Sequence, residues 1–313
     1  MFTASLALGG TWFSGTWAWA AFTLVASGAQ TFRNIMQRDL IATLGTAGAT
    51  YVRFVFGLPF ALVFLVLVRF GTGLEIPALN ISAALWVAFG AVSQIFATGL
   101  MLATMRERSF VVTTAYIKTE PVQVALFGLI VLGEHLTGVM AAAILIATAG
   151  VMLMSWPKKG SAGDSEVKSW RPALLGLVSA MFFAFSAIGY RGGIILLDTP
   201  SFVMASTTAL CFALALQTAL IIALLVVTNR GMLAALARAW RPSLFAGFMG
   251  AFASQFWFLA FALTPAARVR TLALIEVIFA QIATRRVFKE RTPPRDLLGM
   301  AMILIGVGLL LNA

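Results

Sequence analysis

Ten predominantly apolar stretches of about twenty residues follow one another along this chain, and they decide what it can fold into. They run approximately over 17–36, 47–68, 83–104, 109–132, 138–155, 172–190, 202–227, 243–264, 268–288 and 295–312. A helix needs about 20 apolar residues to cross the hydrocarbon core of a bilayer, and each stretch supplies roughly that. They are continuously apolar, without the ten-residue alternation of barrel strands. Of the 313 residues 61% are apolar and 11% charged, whereas soluble domains run at about half and a quarter. Too few charges remain to cover a water-facing surface, and disorder is excluded for the same reason. The expectation is an all-α polytopic membrane protein with ten transmembrane helices and the lipid bilayer as its first partner.

The longest polar connection, WPKKGSAGDSEVKSW, lies at mid-chain. Its glycine, serine and charge read as a solvated linker, which divides ten spans into five and five. Residues 1–155 would form the first unit, 156–171 the linker and 172–313 the second. Internal spacing supports a repeat. Glu120 precedes Glu134 by 14 positions, Glu276 precedes Glu290 by 14, and the two pairs are 156 residues apart. The same offset lays 49–58 on 205–214, and Ser93-Gln94 recurs as Ser254-Gln255 at an offset of 161. Because five is odd, a second copy enters the membrane from the opposite side. The expected architecture is therefore an inverted 5+5 structural repeat, in which substrate binds near midplane where the halves meet.

Lys and Arg exceed Asp and Glu by 11. In a soluble protein that excess suggests nucleic acid, but here its location gives another reading. The odd-numbered loops, with the span ends adjoining them, carry 15 basic residues against 4 for the even-numbered loops. By the positive-inside rule the odd loops are cytoplasmic and both termini periplasmic, in a bacterial inner membrane. The charge is thereby mostly topology, and no nucleic-acid partner is expected. The opening MFTASLALGG has no basic n-region of a cleaved signal peptide, so the chain is read as mature. One cysteine, Cys211, and one histidine, His135, preclude an intramolecular disulfide and a Cys/His zinc site. Neither metal nor cofactor is expected, and oligomeric state is not legible.

Charges inside a membrane are costly and usually face a cavity or a partner. Arg33, Arg53, Lys118, Glu120 and Glu276 fall inside the expected spans. In the first span Thr23, Ser27, Gln30, Asn34 and Gln37 step by four and three along one helical face that Arg33 borders, so this face should line the interior. Either a cavity wall or side-chain glue between helices would use it. In the fourth span Tyr116, Glu120 and Gln123 share a side, while Lys118 lies roughly 200° from Glu120 and should meet another helix or the substrate. Pro121 removes a backbone hydrogen bond and can kink the span, as a gate or as ordinary helix irregularity. For Glu276 the expected partner is Arg53 or Arg33. Gln94, Ser254, Gln255 and Trp257 complete the candidate substrate-binding set, with Trp257 and its phenylalanine neighbours as an aromatic wall or as packing. Glu134 and Glu290, each followed by a threonine before the next span, read as caps of short turns, with His135 at the surface beside them.

Taken together, the two five-span halves, the segment Pro121…Gly133-Glu134 before a span ending AGVMLMS, and its echo Lys289-Glu290 before GMAMILIGVGLLL resemble the EamA family of the drug/metabolite transporter superfamily over nearly the whole chain. Within that family the similarity points to the bacterial aromatic amino-acid exporters. The resemblance implies a metabolite or amino-acid exporter with a central cavity and alternating access. The sequence departs from the family pattern at Val277, where proline is expected, which puts a mirrored kink in doubt. The four-span relatives use a first-helix glutamate for cationic drugs; Gln30, Arg33 and Asn34 here argue against organic cations. The expected activity is export of small amphiphilic metabolites, amino acids foremost. A nucleotide-sugar or phosphorylated-metabolite exchanger is the alternative, and would want cavity-facing cations in the second half, where Arg191, Arg268 and Arg270 lie near span ends. A membrane-embedded enzyme is disfavoured, because all four aspartates lie in or next to loops and no span holds a histidine pair or a metal motif.

Overall fold

The computed structural model describes residues 17–107, 113, 116–155, 171–278 and 294–312. Its elements are α1 (Ala18–Val55), α2 (Leu58–Thr72), α3 (Ile81–Glu107), α4 (Glu120–Leu132), α5 (Gly138–Ser155), α6 (Arg171–Ile195), α7 (Phe202–Thr228), α8 (Arg230–Arg238), α9 (Trp240–Leu263), α10 (Ala266–Leu272) and α11 (Pro294–Leu311). No strand occurs among the described residues. Six helices are long and apolar enough to cross a membrane, and shorter apolar helices span Glu120–Leu132 and Gly138–Met154. Of the ten expected stretches, the fourth is described at 113 and from 116 and the ninth only as far as residue 278; Glu290 and the linker lie outside the described residues except for Arg171, which opens α6. The outer surface is apolar: Leu67, Phe70, Ile130, Leu145 and Val227 all stand exposed. Monomeric soluble proteins do not present apolar surface on that scale.

The first span runs well past its expected end. Helical geometry is interrupted inside α1 at Gly45, where φ is 68° and ψ 177°, a conformation open essentially to glycine alone. The Gln37 side-chain amide donates to the Ala49 carbonyl at 2.9 Å. Twelve residues of straight helix would separate those groups by about 18 Å, so the chain turns back at Gly45. An added Cβ at Gly45 meets nothing within 4 Å, hence backbone strain is the whole cost of a side chain there. Gly45→Ala is expected to lose about 1–3 kcal/mol. Gly28→Ala, in an ordinary helical turn with equal space, should be neutral or gain up to about 1 kcal/mol. Thermal unfolding of the two variants side by side checks the difference; equal melting temperatures would exclude the turn.

Helices pack in pairs that follow the two-repeat arrangement. The first half of α1 packs on α9 and α3 on α6; α2 faces α7, α4 faces α10 and α5 faces α11. Numbered as spans these are 1 with 8, 3 with 6, 2 with 7, 4 with 9 and 5 with 10, the set that exchanging the halves maps onto itself. Glycine makes the closest of these approaches possible. A Cβ on Gly189 would lie 2.7 Å from Gly90 Cα, and one on Gly299 would lie 2.7 Å from the Gly150 carbonyl. Such contacts let backbones of membrane helices touch where no hydrophobic effect drives them together. The α8 segment is an addition that hydropathy along the chain does not reveal. Asn229 caps it by accepting from the Met232 amide at 3.1 Å. Met232, Leu233 and Leu236 turn toward the bundle while Arg230 and Arg238 stay exposed, the division expected of a helix lying in the membrane interface.

Candidate site at two interrupted helices

Both spans that carry an intramembrane glutamate are broken, and at corresponding places. In the fourth, helical residues Tyr116 and Ile117 give way to a turn at Lys118 and Thr119 before α4 begins at Glu120. In the ninth, α10 ends at Leu272, a turn follows at Ala273 and Leu274, and helix resumes at Ile275. Tight three-residue bonds mark each break: Thr119 N–H to the Tyr116 carbonyl at 3.3 Å, and Leu274 N–H to the Thr271 carbonyl at 3.1 Å. Pro121 occupies the first turn of α4, where a missing N–H is harmless. The second turn forms without a proline, at a place where Val277 left a mirrored kink in doubt.

Charges cross between the halves at these breaks. Lys118 forms an ion pair with Glu276, and Glu120 Oε1 lies 3.0 Å from Arg270 Nε. The expectation that Arg53 or Arg33 partners Glu276 is therefore corrected. The turn at 118–119 frees Lys118 from the regular helical direction and lets it reach the opposite span. Hydropathy sets Arg270 near a span end, yet it is 8% exposed and sits over the Trp257 ring at 4.4 Å and the Phe261 ring at 5.4 Å. The run LTPAARVRTLALIEV could have signalled this, since apolar residues on both sides of Arg270 place it at depth once the span starts at Ala266. Trp257 in turn donates from Nε1 to Gln30 Oε1 at 3.1 Å. Gln30, Trp257, Arg270, Glu120, Lys118 and Glu276 thus belong to one neighbourhood.

Two further arginines lie deep in the bundle. Arg33 is 1% exposed and donates from Nη2 to Asn34 Oδ1 at 2.8 Å. Arg53 is 3% exposed, donates from Nη1 to the Thr98 hydroxyl at 3.2 Å and stands over the Phe54 ring at 5.2 Å. The first-span stripe faces inward as its spacing required: Thr23, Ser27 and Gln37 are buried, Gln30 and Asn34 partly so.

Other candidates are engaged elsewhere. Gln94 Oε1 accepts from the Tyr190 hydroxyl at 2.9 Å and from Gln217 Nε2 at 3.1 Å, so it ties α3 to α6 and α7. Gln255 donates to the Thr207 hydroxyl at 2.9 Å, holding α9 to α7, and Ser254 is buried beside it. Tyr116 packs against Gly176 at the start of α6; a Cβ there would come within 2.6 Å of it. The aromatic wall divides: Phe258 packs on Tyr190, and Phe256 on Phe22 and Phe252.

The turn after α4 also departs from expectation. Thr137 does cap α5, accepting from the Met140 amide at 3.1 Å. Glu134 does not cap; its carboxylate pairs with Arg191 of α6, which also donates to the Phe261 carbonyl of α9. Two helices and a turn thereby meet on one guanidinium, a role the sequence spacing does not disclose. His135 is exposed, as its place in the turn implies. No group of His, Cys, Asp and Glu able to hold a metal occurs among the described residues.

Interrupted helices from two halves, meeting over buried charges inside an all-helical apolar bundle, define a membrane transporter of the repeat type. The chain belongs to the EamA-like transporter family, whose profile matches residues 5–156 and again 170–312. It is thus a multi-pass member of the drug/metabolite transporter superfamily, a class of proteins that carry small molecules across bilayers. A solved crystal structure with a TM-score of 0.66 covers 95% of this chain and 96% of its own at 13% identity, a likeness of fold. No curated protein matches the sequence.

Proposed function

We propose that this protein exports small amphiphilic metabolites, with amino acids as the leading class and aromatic or hydrophobic ones foremost, by alternating access through a central cavity between two inverted repeats. The repeats would be residues 1–155 and 172–313, joined by the linker at 156–171. In this reading the odd-numbered loops face the cytoplasm of a bacterial inner membrane and both termini face the periplasm. The observation that carries it is the crossed pairing Lys118–Glu276 and Glu120–Arg270 at two helix breaks. Opening either side of such a carrier separates the halves, and a substrate that offers its own charged groups can take over the pairing that this separation breaks. Arg270, Lys118 and the neighbouring arginines would meet a carboxylate, Gln30 and Asn34 the polar end, and Trp257 an apolar side chain.

Exchange of nucleotide sugars or phosphorylated metabolites is the second reading, and the burial of Arg270 in the second half favours it more than the sequence does. Reconstituted protein loaded with labelled phenylalanine, a nucleotide sugar or an organic cation separates them. Efflux of the amino acid is expected, and retention of the other two. Glu120→Gln or Lys118→Met should each lower that efflux at least tenfold. Unchanged efflux in both variants would remove these residues from the site. Repeating the assay with and without a pH gradient distinguishes proton-coupled from facilitated export.

A further inference from the structure

Arg33 and Arg53 are left over when the charges are paired. Glu120 takes Arg270 and Glu276 takes Lys118, so this part of the interior holds four cations against two carboxylates among the described residues. Among the described residues the two arginines hydrogen-bond only to neutral groups, Asn34 and Thr98, and the one carboxylate that acts on Arg33, Glu276, is shared with Lys118. Arg33 Nε and Nη1 are buried and bonded to nothing described. Both side chains run across the same glycine: a Cβ on Gly250 would lie 3.5 Å from Arg33 Cδ and 3.3 Å from Arg53 Cγ. Like charges held this close in a low-dielectric interior repel strongly, and idle donors there are costly. An anion resolves both, and the planar guanidinium fork matches a carboxylate through two parallel bonds.

What lies next to this pair says what the rest of the ligand resembles. Gly250, Ser254 and Trp257 fall at i, i+4 and i+7 of α9 and so share one face. The indole is therefore about 10 Å along the axis from the arginines, with a hydroxyl between. Glu276 Oε2 has no hydrogen bond among the described residues, so an ammonium can be accommodated, but its charge is already matched by Lys118. We infer that Arg33 and Arg53 form the carboxylate subsite of the transporter, and that the transported molecule is recognised by a free carboxylate attached to an aromatic or apolar body, the ammonium being dispensable. The inference rests on the transporter reading for what is carried, while the anion subsite stands on its own geometry.

Gly250 offers the direct test. Gly250→Asp puts a carboxylate of the protein itself between the arginines, and Gly250→Asn puts an uncharged group of the same size there. In lipid nanodiscs the Asp variant should unfold at a higher temperature than the Asn variant, and should no longer be stabilised by 3-phenylpropionate. An Asp variant no more stable than Asn would mean the arginines are already neutralised, and would overturn the subsite. In the unmodified protein 3-phenylpropionate and phenylalanine should raise the melting temperature, whereas phenylalaninamide should not. Arg33→Gln should weaken the phenylpropionate response at least tenfold in concentration. Stabilisation by the amide equal to that by the acid overturns the inference even if amino acids are exported. Arg33-dependent binding of phenylpropionate without amino-acid efflux keeps the subsite and overturns the amino-acid reading instead.

Discussion

Arg270→Met is expected to cost about 3–5 kcal/mol of stability, because it leaves the Glu120 carboxylate buried without its cation. The substitution also takes the guanidinium off the Trp257 ring, 4.4 Å away, an interaction of up to about 2 kcal/mol when desolvated. The double variant Arg270→Met with Glu120→Gln removes both charges together and should recover most of the loss, since an absent pair is far less costly than a broken one. Efflux should fail in the single and the double variant alike. Unfolding in nanodiscs measures the first quantity and reconstituted efflux the second. A double variant no more stable than the single one would mean that the pair contributes little; efflux retained by either would place Arg270 outside the pathway.

Arg191→Met should cost a similar amount, about 3–5 kcal/mol, on the same reasoning, although nothing in the sequence marks it. One guanidinium there serves the Glu134 carboxylate and the Phe261 carbonyl, and so joins the turn after α4, α6 and α9. Glu134 is held close on its other side as well, since its Oε2 lies 2.7 Å from where a Gly128 side chain would begin. Glu134→Gln added to Arg191→Met should restore part of the stability. Hydrogen exchange should rise at the end of α9 and in the turn after α4 in the single variant. Exchange unchanged at both places would show that the guanidinium does not tie them.

What the sequence makes legible is the part set by period and composition. Apolar runs mark the helices, the 3–4 spacing from Thr23 to Gln37 marks a face that is indeed inward, and the 156-residue offset marks Glu120 and Glu276 as equivalent. What it leaves hidden depends on distances between helices. Lys118 meets another helix, as its angle from Glu120 implied, but helical spacing does not name Glu276 as the partner. Hydropathy sets Arg270 and Arg191 at span ends because a charge ends an apolar run, whereas partners elsewhere in the bundle allow Arg270 to be buried and Arg191 partly so. Gln94 reads as a cavity residue, yet Tyr190 and Gln217 already occupy its oxygen. Glu134 reads as a cap because threonine nearby is one, and chain proximity cannot separate the two duties.

The two breaks also differ in permanence. Beside the first stands Pro121, whose ring removes an N–H that no rearrangement can restore. The second is bordered by Ala273, Leu274 and Ile275, which retain every donor that an unbroken helix needs. The backbone at Ala273 is still right-handed helical, φ −60° and ψ −19°, so nothing covalent opposes a continuous ladder there. The duplicated halves are therefore unequal: the proline-marked turn can never complete its hydrogen-bond ladder, whereas its counterpart, on the side that carries Glu276, has every donor to do so.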